Sequence, residues 1–416
     1  MTTVSESVLA CSLVLPPYSL PPPVPSYSPE PAHDEERVDH TPRAHAHPTG
    51  VYMKKCGSDT VALTEQDPRA ELPTYGRHAS INGFVTLENR ETVSEIVLKI
   101  KGKMDVMISE GGSLTTRLVN DNYTLWSSEK SRTTACPSAV PFSVVLPTKF
   151  QDYDGLSHPL PPSFEIPFST VRGLFFKSSY ILSVTITRTM NRKFRFLTKS
   201  KTIPIHFNYS PRAQPWRPIH PSPNFLVDVK IMPEEFRQVS WQLLPQPKST
   251  VLPIDLHLFL PVVQIFGLAD TITFHVQLAG PVSSLVEFVP ESDGSGKSTI
   301  VGSLVRQIVV ELNGRLATRN FVIGHATMSP RPPGATAMFD AHGASLDWDG
   351  EVRCKADTTV GTFDVGCVRV QDFLLIELKP LSAATCSEFV TLRYSHPIKL
   401  VTESWVDSSL SRDDPS

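Results

Sequence analysis

The sequence predicts an all-β protein built from β-sandwiches, and three observations carry that prediction. Residues 160–188 and 368–402 are apolar runs, alternating or continuous, of strand length and joined to proline-edged turns. No stretch as long as an ordinary helix keeps a helical period without a Pro or Gly inside it. The 416 residues include 38 Pro against 21 Gly, an excess that suits strand edges and turns. Hydrophobic residues make up 40% and charged ones 19%, enough apolar surface for sizeable cores. A net charge of −3 removes any whole-chain electrostatic case for nucleic acid.

Each segment supports this in turn. Residues 1–50 contain ten prolines and almost no large apolar side chain after Val14, so they read as a disordered Pro-rich tail. The apolar run before those prolines has no basic flank, since the first cation is Arg37, and is not expected to be a secretory signal. Residues 51–80 are transitional, and order is expected to begin near Ile81. Ile96, Leu98 and Ile100 alternate with Lys99 and Lys101, a strand with one buried and one wetted side. Val140, Phe142, Val144 and Leu146 repeat the period and Pro147 closes it. Tyr180, Leu182, Val184 and Ile186 alternate with Ser183, Thr185 and Thr187, and Ile203, Ile205 and Phe207 follow. Residues 208–224 hold a cluster of prolines and read as an extended linker. Beyond it, Phe225 to Ile231, Ile272 to Leu278, Gln307 to Leu312, Val368 to Leu378 and Phe389 to Val401 read as strands. The organisation expected is a sandwich over 51–207, the linker, a second sandwich over 225–405 and a flexible end over 406–416. The apolar stretch 256–269 is interrupted by Pro261 and is too short for a spanning helix.

Motifs for chemistry are weak. Cys11, Cys56, Cys136, Cys354, Cys367 and Cys386 are scattered, which suits reduced thiols. Gly294 to Thr299 imitates a phosphate loop, yet Glu291 stands where that motif needs Gly. His40, His45 and His47 lie in the tail without preset geometry, so no metal is expected. Neither a cofactor nor a catalytic constellation is expected, and the chain reads as a non-enzyme.

The sharpest signal is electrostatic. Between Glu165 and Asp228 no acidic residue occurs, while ten cations do: Arg172, Lys177, Arg188, Arg192, Lys193, Arg195, Lys199, Lys201, Arg212 and Arg217. Arg188, Arg192, Lys193, Arg195, Lys199 and Lys201 share one strand–turn–strand and are the candidate dock for cargo or phosphate. The bland alternative is a solvated hairpin whose charges deter edge pairing.

Four pieces in order carry a family resemblance: G-F-V-T-L-E-N, S-E-I-V-L-K-I-K-G, L-P-P-S-F-E-I and K-S-S-Y-I-L-S-V-T-I-T-R. Together they resemble the N-terminal domain of the arrestin superfamily. The Y-S-P-R connector, V-Q-D-F-L-L-I-E-L-K-P and S-H-P-I-K-L-V-T-E-S-W resemble fungal arrestin-like proteins. The resemblance spans roughly residues 75 to 405 and implies two immunoglobulin-like sandwiches. It also implies a cytoplasmic adaptor, peripheral at the plasma membrane or endosomes, for membrane-protein tails in endocytosis or ubiquitination. The basic segment itself makes an anionic membrane surface a further candidate partner, and nucleic acid is not expected. Related adaptors recruit HECT-type ubiquitin ligases through P-P-x-Y motifs that dock on WW domains. Here the nearest variant is Leu72-Pro73-Thr74-Tyr75, so that recruitment is open. The alternative function is a structural sandwich without membrane cargo, its basic segment masked by its own acidic residues.

Overall fold

The computed structural model describes residues 48–129, 135–168, 173–189, 198–219, 225–247, 249–289, 299–331, 344–380, 388–389 and 391–405. The first strands are β1 (Gly50–Cys56), β2 (Asp59–Gln66), β3 (Thr74–Tyr75), β4 (Ser80–Leu87), β5 (Val93–Ile108) and β6 (Gly112–Ser127). They are followed by β7 (Ala139–Val145), β8 (Lys149–Gln151), β9 (Ser157–Pro159), β10 (Phe164–Ile166), β11 (Leu174–Thr189) and β12 (Thr198–Tyr209). One sheet has the order β1-β2-β4-β7; another runs β3-β12-β11-β5-β6, with β10 added to β11; β8 and β9 pair separately. Period-two patterning makes this a sandwich, because each strand turns its apolar row inward. Val61, Leu63, Ile81 and Val85 of the first sheet share one core with Ile96, Leu98, Leu182 and Val184 of the second. Burying each such side chain contributes roughly 1.5–3 kcal/mol.

The L-P-P-S-F-E-I piece has a local reason. The Tyr180 hydroxyl donates to the Pro161 carbonyl at 2.6 Å, and Ser178 Oγ donates to that of Pro162. Ser163 Oγ accepts the Tyr209 N–H at 2.9 Å, so the prolines dock β10 onto β11 beside β12.

The second half contains α1 (Phe225–Ile231), β13 (Phe236–Leu243), β14 (Ile254–Pro261), β15 (Ile265–Gly267), β16 (Ile272–Gly280) and α2 (Val282–Leu285). Then come β17 (Ile300–Leu312), β18 (Arg315–Arg331), β19 (Ala344–Val352), β20 (Phe363–Asp364), β21 (Val368–Leu378) and β22 (Leu392–Val401). Their order is β13-β14-β16-β19-β18-β17-β21-β22-β15, with β20 on β21. The sheet curls because β18 changes partner: residues 315–325 pair with β17 and residues 326–331 with β19. Gly324 stands at the change, where a Cβ would lie 2.3 Å from the Arg353 carbonyl oxygen. Curling brings Leu258, Phe274 and Val276 against Leu304, Leu374 and Leu400 in a second core. β17 and β21 serve both cores, since Ile308, Val310, Val368 and Val370 belong to the first.

The all-β expectation holds, and the alternating runs at 96–100, 140–144, 180–186, 203–207, 272–278, 307–312 and 368–378 are strands. Two expectations are corrected. Phe225 to Ile231 is helix α1, not a strand. Only Phe225 enters a core, 4.9 Å from the Phe236 ring and stacked on His275, while Val227 and Ile231 are exposed. No period-two row is buried there, and a helix meets its backbone bonds locally, as when Met232 N–H donates to the Asp228 carbonyl. Strand structure also begins at Gly50 rather than near Ile81. β1 is an exposed edge with little apolar alternation, and β2 buries Val61, Ala62 and Leu63 consecutively, so neither shows a clear period. Of the linker, residues 208–209 complete β12 and residues 220–224 lie outside the described residues. Between them Ala213 N–H donates to Thr402 Oγ1 at 2.8 Å, and the Ala213 carbonyl accepts the Glu403 N–H at 3.0 Å. The connector is therefore pinned to the end of β22.

Candidate anion-binding cleft

The basic segment lies on the β11–β12 hairpin, paired up to Thr189 and Thr198. Arg192, Lys193 and Arg195, between those strands in the sequence, lie outside the described residues. The other three candidates are set by strand period. On β12 the inward row Phe207, Ile205, Ile203 continues to Lys201 and Lys199, and on β11 the inward row ends Ile186, Arg188. These side chains thus extend past the core to the open end of the sandwich. There Asp59, first residue of β2, reaches across from the other sheet and is 0% exposed.

Arg188 donates from Nη2 to Asp59 Oδ1 at 2.6 Å and from Nη1 to Oδ2 at 3.2 Å. Lys201 Nζ sits 3.1 Å from Asp59 Oδ2 and also donates to the Cys56 carbonyl. Around this pair opens a cleft of about 600 Å³, lined further by Ser58, Glu88, Asn89, Arg90, Glu91, Thr92 and Lys199. A buried carboxylate needs such partners, because an unpaired one costs several kcal/mol.

The structure changes the reading of the acid-free run. Of its six described cations, five have carboxylates supplied by other parts of the chain. Lys177 pairs with Glu165, Arg188 and Lys201 with Asp59, Arg212 with Glu403, and Arg217 with Glu235. Lys199 alone among them has no ion pair to a described residue. Arg188 and Lys201 are therefore not free cations.

The Leu72-Pro73-Thr74-Tyr75 variant is also corrected in place. Tyr75 is 4% exposed, lies in β3 parallel to β12, and its ring meets Phe207 edge-on at 5.4 Å. A WW domain needs that ring on its own surface, so the folded chain does not present it. His40, His45 and His47, and Gly294 to Ser298, lie outside the described residues.

Elsewhere, burial pushes the Cys136 and Cys354 thiols up to about 11 and raises that of Cys367, the reverse of nucleophile activation. His275, fully buried, places Nδ1 2.7 Å from Asp349 and Nε2 3.0 Å from Asp347. Burial would raise the Asp347 carboxyl, but hydrogen bonds from His275, Ser345 and Gln277 outweigh it and hold it below its ordinary value. A second buried ion pair joins Arg306 and Asp372 at 2.8 and 3.0 Å, with Thr362 Oγ1 donating to Asp372 at 2.9 Å. Asp59 and this pair were not singled out from the sequence. The signal was available: Asp372 interrupts the inward row Val368, Val370, Leu374, and Arg306 interrupts Leu304, Ile308, Val310.

The molecule is an all-β protein of curled, face-to-face sheets. No protein-family model matches the chain, and no curated protein is significantly similar to it.

Proposed function

We propose that the chain is a non-catalytic, arrestin-like adaptor with two immunoglobulin-like lobes, which grips acidic or phosphorylated tails of membrane proteins. The observation that supports this most is the hairpin's position. Its inward cations stop at an open cleft, Lys199 has no ion pair to a described residue there, and the sequence between the two strands adds Arg192, Lys193 and Arg195. Arg188 and Lys201 brace the wall through Asp59 while the turn and Lys199 meet the ligand. Guanidinium forks suit phosphate, and a mixed-charge cleft keeps the interaction salt-sensitive.

The test is charge reversal at Arg192, Lys193, Arg195 and Lys199 in the full chain, read by binding to a phosphorylated peptide across a salt series. The expected result is about tenfold weaker binding and a flatter salt dependence. Unchanged affinity removes the hairpin from the reading. The same experiment addresses a second reading, a structural protein whose basic segment is self-masked, favoured by the five internal ion pairs. On that reading the unmodified chain shows no salt-sensitive peptide binding at all.

A further inference from the structure

Among the described residues, a cluster of positive charge with few carboxylate partners lies away from the hairpin cleft, on the outer face of the six-stranded sheet. On β5 the outward row runs Lys99, Lys101, Lys103. Its neighbours in register are Asn122, Asn120 and Arg117 on β6, and Ser183, Ile181 and Ser179 on β11. A bulge in β6 keeps Arg117 and Asn120 on one face although three apart in sequence, because Leu118 and Val119 are buried consecutively. The result is a hollow of about 620 Å³ floored by Gly102 and Tyr180 and reaching His206 on β12. Gly102 and Tyr180 belong to the inward rows of β5 and β11, so they offer this outer hollow backbone and no side chain.

Four cations and no carboxylate line this hollow. Lys103 has Asp105 at 2.7 Å beside it, whereas Lys99, Lys101 and Arg117 have no carboxylate partner among the described residues. Lys103 and Arg117 stand directly opposite each other, and like charges in that position destabilise a sheet. Alternate residues on a strand are only ~7 Å apart, so the lysines repel along the row as well. A bound anion would relieve this repulsion.

We propose that this hollow binds a compact polyphosphorylated group, as a free small molecule or as a headgroup carrying adjacent phosphates. The walls are side chains on a sheet face, and the strands β5 and β11 beneath are hydrogen-bonded on both sides. No backbone is left there to accept an added peptide strand, which disfavours an extended acidic tail. The volume lies in the range of small-ligand sites, and Arg117, Asn120, Thr115 and Ser179 add directional donors. This site does not depend on the cleft at the hairpin.

The test uses the full chain and inorganic tripolyphosphate, followed by calorimetry at ~0.15 M salt. Saturable binding is expected, weakened about tenfold or more in both K99Q/K101Q and R117Q, and within about twofold of the parent in K149Q, an exposed lysine outside both sites. R117Q reads the same site if the lysine pair impairs folding, and thermal melting of each variant checks that. A second arm presents phosphatidylcholine vesicles with and without a phosphatidylinositol bisphosphate. Vesicle capture lost in R117Q assigns a lipid headgroup, and tripolyphosphate binding without capture assigns a free ligand. The proposal is overturned by no saturable tripolyphosphate binding, by affinity unchanged in both hollow variants, or by an equal loss in K149Q.

Discussion

Asp59 shows how one residue sets the chemistry around it. A carboxylate 0% exposed is tolerable because Arg188 forks onto it and Lys201 adds a third contact. Arg188→Met keeps the length of the side chain but leaves one partner, and is expected to cost about 3 kcal/mol in chemical denaturation. A loss under about 0.5 kcal/mol would mean that the pair behaves like a surface one. His396 makes the opposite case. It is 3% exposed, neither ring nitrogen bonds a described protein atom, and burial followed by the Arg237 charge lowers its pKa. The unfolded ring protonates near pH ~6.5 and the folded one resists until lower pH. Its contribution is therefore present above that value and lost as pH falls through the folded pKa. His396→Leu should flatten the stability profile on the acid side of neutrality, and an unaltered profile would assign that slope elsewhere.

Among the elements, the β17–β21 pair is the most instructive. Arg306 and Asp372 face each other in register on rows that are otherwise apolar, at the point where the strands pass from one core to the other. Arg306→Leu leaves a buried carboxylate alone and is expected to cost about 3–5 kcal/mol. Arg306→Leu with Asp372→Leu should recover most of that loss, since two apolar side chains meet without a stranded charge. A double variant as unstable as the single one would show that Thr362 and the surrounding backbone need the carboxylate. These rows were legible, because period two places Val368 to Leu378 on a face with no structural information beyond the sequence. The helix at Phe225 to Ile231 was not, because four β-compatible residues at even spacing match a strand, while the fold buries only Phe225 of them. What decided it was the lack of a sheet to receive that row.

At the scale of the molecule, β17 and β21 tie two hydrophobic cores of the described residues together. Further ties are Asn313 Nδ2 donating to the Gly111 carbonyl at 2.9 Å and Arg319 donating to that of Pro167 at 2.9 Å. Unfolding should accordingly be a single cooperative transition in which tryptophan fluorescence and far-ultraviolet dichroism coincide. Two separated transitions would show that the cores melt independently. The charge pattern teaches the same lesson at this scale. Ten cations without an intervening acid looked like a bare patch, yet the fold brings Asp59, Glu235 and Glu403 to them from distant segments. Conversely, Lys99 and Lys101 looked like an ordinary wet strand face, and only the neighbouring strands show that no described carboxylate neutralises them.

The sequence by itself determined the class of fold and the inward or outward direction of most side chains along β5, β11, β12 and β21. Alternation at period two is a local property, and burial follows from it directly. Only the tertiary structure decided which charges are compensated, where the two cores join, and that Tyr75 lies inside. Those depend on residues far apart in the chain meeting across sheets, and Coulomb energy at a few ångströms is set by that meeting, not by sequence neighbours.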